Sequence, residues 1–158
     1  MNITVISVGK IKEKYFTAAI DEYLKRLSRF VKLNIIEVAD EKIPDNASEK
    51  EMEQIKEKEG NKILAKLPQN SFVVTLCIEG KEHSSEELAK KIADISMTSS
   101  HITFIIGGSL GLSDTVKSKS ALRLSFGKMT LPHQLMRVVL LEQIYRAFKI
   151  NNNESYHK

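Results

Sequence analysis

A single cysteine, Cys77, set in an apolar run, excludes a disulfide framework and a C-x-x-C metal site and fits a reducing compartment. The four histidines, His83, His101, His133 and His157, are too scattered for an H-E-x-x-H helix or a comparable cluster, so no metal is expected. The opening MNITVISVGK is too short for a signal-peptide core, and no later run approaches the length of a membrane span. A cytoplasmic protein without a membrane partner is expected. Residues 1–158 contain no repeat, low-complexity tract or Pro/Gly-rich linker, which predicts one domain. What the chain does have is 42% hydrophobic residues, enough for a core, and a net charge of +4. That charge weakly favours a polyanionic partner, and its placement has to decide.

Short apolar runs alternate with helical patterns. NITVISVG, KLNIIEVA, SFVVTLCI, HITFII and LRLSF read as strands. Between the first two, Tyr15, Phe16, Ala19, Ile20, Tyr23, Leu24 and Leu27 recur at helical spacing. Ser48-x-x-Glu51 and Ser84-x-x-Glu87 are capping boxes, the first opening a charged helix that ends before Pro68. The run EKEMEQIKEKEGNK inside that helix has mixed sign and reads as a solvent face. A short helix from Ser113 and a long one from His133 to Ile150 complete the chain. Strands alternating with crossover-length helices predict a Rossmann-like parallel α/β sheet, with ligands at the carboxyl ends of the strands.

The stretch FIIGGSLG contains a G-x-S-x-G pattern centred on Ser109, with a strand before it and a helix after it, as a nucleophile elbow requires. The partners are poor. The only acid in order is Asp114, better placed to serve the start of a helix, with His133 as base. Gly9-Lys10, Gly80-Lys81 and Gly127-Lys128 lack the rest of a P-loop, and SVGKIKEK cannot supply G-x-G-x-x-G. Two loops, Gly107–Gly111 and Phe126–Leu131, follow successive strands at one sheet edge. With the end of the third strand near Leu76 they form either one ligand cleft or ordinary tight turns. The last helix carries apolar residues on more than one stripe, from Leu135 and Met136 through Tyr145 and Phe148, so a second subunit is its expected cover.

IGGSLGL, MTLPHQLMRVVLLEQIYRAF and the terminal SYHK, with the opening ITVISVGKIKEKYF and ADEKIPDN, resemble the bacterial RlmH-type ribosomal RNA large-subunit pseudouridine methyltransferases over essentially the whole chain. The resemblance implies a SPOUT fold, in which the C-terminal segment forms a deep trefoil knot, an exception to the rule against threading. It implies a homodimer, S-adenosylmethionine as cofactor, and pseudouridine of 23S ribosomal RNA in the ribosome as substrate, methylated at ring nitrogen 3. Carried over residue by residue, it assigns the cofactor to Leu76, Gly107, Phe126, Gly127, Lys128, Met129, Thr130 and Leu131. Tyr156 and His157 fall on the substrate side, in the partner's site or the chain's own. His133 is a candidate to face the target base, with capping or core packing as the alternative, and Arg137 is a candidate phosphate or catalytic contact, with a solvated or paired helix arginine as the alternative. A ribosome-binding module without catalysis, or methylation of transfer RNA, remain competing readings.

Overall fold

A computed structural model describes all 158 residues. The elements are β1 (Asn2–Val8), α1 (Lys14–Leu27), β2 (Lys32–Val38), α2 (Glu49–Lys66), β3 (Phe72–Glu82), α3 (Ser85–Ser96), β4 (His101–Ile106), α4 (Asp114–Ser118), β5 (Leu122–Ser125) and α5 (His133–Asn151). The five strands form one sheet in the order β2-β1-β4-β3-β5, and every pairing is parallel. The alternation expected from the sequence is therefore present. No helix is long and apolar enough to cross a membrane.

The apolar runs are strands because both sheet faces are covered, so successive side chains meet one core or the other. On β1, Ile3 and Val5 join a core shared with α1, α3 and α5, while Ile6 and Val8 join a second core with Ile63 of α2 and Val116 of α4. Phe104, at the centre of β4, is almost wholly buried. Both capping boxes are closed: Ser48 accepts from the Glu51 N–H and Ser84 from the Glu87 N–H, each glutamate reaching back to its cap. α5 lies between α1 and α3 with Leu140, Leu141, Ile144 and Ala147 buried, and leaves Val138, Tyr145 and Phe148 half-buried.

Two expectations are corrected. The charged run of α2 is not simply a solvent face: Ile55, Glu59, Gly60 and Ile63 are buried. Gly60 brings α2 close to α4, since a Cβ there would lie 2.6 Å from Ser113 Oγ. β3 continues past Ile78 to Glu82, and its pairing with β5 jumps between Leu76 and Lys81. Gly80 permits the offset, because a Cβ at that position would stand 2.7 Å from the Arg123 carbonyl oxygen.

Candidate active site

The middle of β3, at Leu76 to Glu79, and the carboxyl ends of β4 and β5 open onto one cleft of about 690 Å³, within the usual range for small-molecule sites. Its walls include Leu76, the Ile106–Leu112 loop, the Phe126–Leu131 loop without Lys128, and His133 at the start of α5. Ile78, within the register jump of β3, is exposed beside Leu76 and lines the cleft with it.

β4 ends at Gly107 because no side chain fits there. A Cβ would lie 2.8 Å from the Gly111 carbonyl carbon and 3.0 Å from its oxygen. The Gly111 N–H donates to the Gly108 carbonyl at 3.0 Å, closing the turn, and Gly111 takes a positive φ of 84° that favours glycine. Across the cleft, Gly127 adopts φ 115°. Ser125 Oγ fixes this second loop by accepting from the Gly127 N–H at 3.1 Å and donating to the Ile78 carbonyl at 2.8 Å. Met129 stands 87% exposed on the loop's outer lip, and Lys128 is exposed outside the wall.

Glu79 and Lys117, paired at 2.6 Å, add a polar rim that the sequence patterns did not single out. The shared hydrogen bond holds the Glu79 carboxyl below the usual range and the Lys117 ammonium above it. Cys77 also lines the cleft, its thiol pushed up by burial and so unreactive.

His133 occupies the first position of α5, and its Nδ1 is buried without a hydrogen-bond partner. Burial first, then the Arg137 guanidinium, lowers its pKa below the ordinary histidine value, against a weaker opposite pull from Asp40. The ring is neutral at physiological pH and so able to accept a proton.

Of the two readings of Arg137, the fold shows the paired one. The residue is 3% exposed and does not line the cleft. Nη1 donates to Glu37 Oε2 at 2.6 Å, while Nη2 donates to the carbonyls of Val8 at 2.9 Å and Gly9 at 2.7 Å. The guanidinium therefore ties α5 to the end of β1, beside His133.

Ser109 shares the cleft wall with His133, but Asp114 opens α4 behind a Ser113 cap, where it serves the helix rather than a serine relay.

The tail doubles back along α5. Tyr156 donates from its hydroxyl to Glu142 Oε1 at 3.0 Å, and burial together with that carboxylate pushes the phenol up to about 12. His157 bonds Glu86 at 2.7 Å and meets Arg146 at 3.2 Å. Glu142 stands nine residues along α5 from His133, about 14 Å of helix, so neither tail residue enters its own chain's cleft.

An all-parallel sheet with a cleft built from two glycine loops defines a nucleotide-cofactor type of α/β enzyme. A family model described as "Predicted SPOUT methyltransferase" matches residues 1–157, and the chain belongs to that family. It is 60% identical to ribosomal RNA large subunit methyltransferase H of Clostridioides difficile (strain 630) and 62% identical to the protein of the same name from Clostridium novyi (strain NT), each match covering 100% of both chains. Among solved structures, it resembles a methylase family protein from Haemophilus influenzae Rd KW20, with a TM-score of 0.54 and 10% identity over 96% of this chain and 66% of that one. A methyltransferase from Legionella pneumophila, in complex with bound SAM, aligns with a TM-score of 0.50 and 12% identity over 94% of this chain and 66% of that one. At those identities the likeness is one of fold.

Proposed function

We propose that the chain is an S-adenosylmethionine-dependent methyltransferase acting on ring nitrogen 3 of a pseudouridine in 23S ribosomal RNA, on the assembled large subunit or ribosome. The observation that carries this reading is the single cleft in which the Gly107–Gly111 and Phe126–Leu131 loops face one another, in a chain whose full-length relatives are named for large-subunit ribosomal RNA.

The cleft suits the cofactor. The space kept open at Gly107 lets main chain approach a ligand closely, while Leu76, Phe126, Met129 and Leu131 offer apolar contact to an adenine and the Gly127 carbonyl and Thr130 backbone offer hydrogen bonds. Lys128, the remaining cofactor candidate of that loop, is exposed outside the cleft wall, so only its backbone is near the ligand. When bound, S-adenosylmethionine supplies a methyl group on a sulfonium, which departs as the neutral thioether. The protein's work is alignment and management of one proton. The target nitrogen must lose its proton as the new N–C bond forms, and neutral His133 is the base within the cleft.

A homodimer belongs to the same reading. Val138, Tyr145 and Phe148 stay half-buried on α5, and a second copy would cover them. A tail that stops short of its own cleft is suited to reach a partner's, where Tyr156 would stack on the base and His157 would hydrogen-bond it. The deep trefoil knot is supported by the chain's path: β5 sits on the sheet edge beyond β3, yet the next element, α5, returns to the opposite side of the fold between α1 and α3. A ribosomal substrate implies the cytoplasm. The docking shape of the ribosome would supplement a modest +4 charge.

The test is transfer of a labelled methyl group from S-adenosylmethionine to ribosomes of a strain lacking the enzyme, followed by mass spectrometry of the nucleosides. Label in a methylated pseudouridine of 23S RNA is expected. Label in transfer RNA alone, or ribosome binding with no cofactor affinity, would replace this reading.

A further inference from the structure

A second cavity of about 180 Å³ adjoins the cofactor cleft and shares Gly108, Ser109 and His133 with it. Its outer wall is the loop after β2, Asp40 to Ile43, and its floor is Glu59 from the charged stretch of α2. A cavity of about 150 Å³ accepts benzene, so this one has room for a single pyrimidine ring.

Glu59 is the unusual group. The residue is 5% exposed. Its Oε2 accepts the Glu41 N–H at 3.0 Å; of the neighbouring cations, Lys58 is exposed and Lys62 is paired with Glu41 instead. Oε1 has no hydrogen-bond partner within the chain and points toward the shared wall, 3.3 Å from where a Gly108 Cβ would stand. Oε1 is not sealed in the core, so it keeps contact with the cavity, and a ligand that displaces water there must bring it a donor. Glycine at 108 keeps the passage between Glu59 and the cleft clear.

We propose that this cavity receives the target base and that Glu59 selects pseudouridine over uridine by accepting its N1–H. The proposal rests on the pseudouridine methyltransferase reading above. Pseudouridine is joined to ribose through carbon, so its ring carries N–H groups at both N1 and N3, flanking the C2 carbonyl. Uridine, rotated to present the same N3, offers only a C–H at the position of N1. With N3 at the wall shared with the cleft, next to His133, N1–H lies one carbonyl further in, on the side of Glu59. A site built to satisfy a substrate N–H rejects an analogue without it by roughly 10⁴-fold, because the buried acceptor is then left unpaired.

Glu59→Gln tests this. The amide oxygen keeps the bond to Glu41, while the amide nitrogen turns a donor toward N1–H. The measurement is kcat/KM on ribosomes carrying pseudouridine or, from cells lacking the pseudouridine synthase, uridine at the target position, with cofactor affinity measured alongside. The expected result is a wild-type preference for pseudouridine that falls at least tenfold in E59Q, with cofactor affinity unchanged. Ile43→Trp, which narrows the mouth of the cavity from an exposed position, should lower kcat/KM on pseudouridine ribosomes about tenfold with cofactor affinity retained. An unchanged preference in E59Q, or unimpaired I43W, overturns the proposal while the methyltransferase reading stands. Absence of transfer by the wild type to either substrate overturns both.

Discussion

Replacing Arg137 by methionine should unfold the junction between α5 and β1 without touching the cleft wall. The guanidinium makes three charge-assisted bonds, to Glu37 and to the carbonyls of Val8 and Gly9. Val8 is 1% exposed, so its carbonyl cannot recover water when the donor is removed. Each stranded acceptor costs about 1–3 kcal/mol. Glu37 is another matter: its side chain is 35% exposed and can rehydrate, so loss of the ion pair itself adds only about 1 kcal/mol. The Arg137 Nε is already unpartnered, and the methionine chain restores some apolar packing. The net loss is about 3–4 kcal/mol, a large part of the 5–15 kcal/mol typical of a domain. For a chain of this length that lowers the melting temperature by roughly 10 °C. Urea unfolding followed by circular dichroism measures it, with Glu37→Gln as the control. That control should cost under about 1 kcal/mol, because Arg137 keeps both carbonyls. An Arg137→Met protein within about 1 kcal/mol of wild type, but unable to methylate, would refute the reasoning and return the residue to the active site.

Gly60→Ala gains roughly 1 kcal/mol of helix propensity yet forces a methyl to 2.6 Å from Ser113 Oγ and 3.0 Å from Val116 Cγ2. Overpacking and a disturbed α4 cap should leave it about 1–2 kcal/mol less stable by urea titration, and a stabilised variant would contradict the close approach of the two helices. Deleting Tyr156 to Lys158 should abolish methyl transfer while cofactor affinity, measured by calorimetry, stays within about twofold; retained activity would remove the tail from the site. Since His133 has its pKa lowered by burial and by Arg137, the ring keeps its neutral form to lower pH than an ordinary histidine. The single-turnover rate should therefore hold from pH 8 to about 6.5 and fall only below it. His133→Asn should lose that acid limb, and a limb that persists would assign the base elsewhere.

The folded pattern was legible wherever one residue's chemistry decides its own surroundings. Ser48 and Ser84 announce their helices because a hydroxyl three residues before a glutamate satisfies N–H groups that nothing else can reach. The apolar runs read as strands because both faces of the sheet are covered, and the two glycine loops stood out because Gly107 and Gly127 sit where a side chain would clash or strain the backbone. Arg137 was left open between substrate contact and pairing, and Glu59 was placed on a solvent face, for the opposite reason. Each is polar, each lies on a helix, and what buries it comes from remote sequence: Glu37, Val8 and Gly9 lie over 90 residues from Arg137, and Gly108 lies 49 residues after Glu59. Local charge patterning treats such residues as solvated. The one local sign was Gly60 beside Glu59, since a glycine kept in mid-helix at a cost of about 1 kcal/mol marks a place where another element comes too close for a side chain. That contact, with Ser113 and Val116, anchors α2 against α4, next to the loop that carries Gly108. The α2 charges thus divide by packing: Glu59, beside Gly60, is buried at the second cavity and Lys56 lines the cofactor cleft, while Glu49, Lys50, Glu51, Glu53 and Lys58 face water.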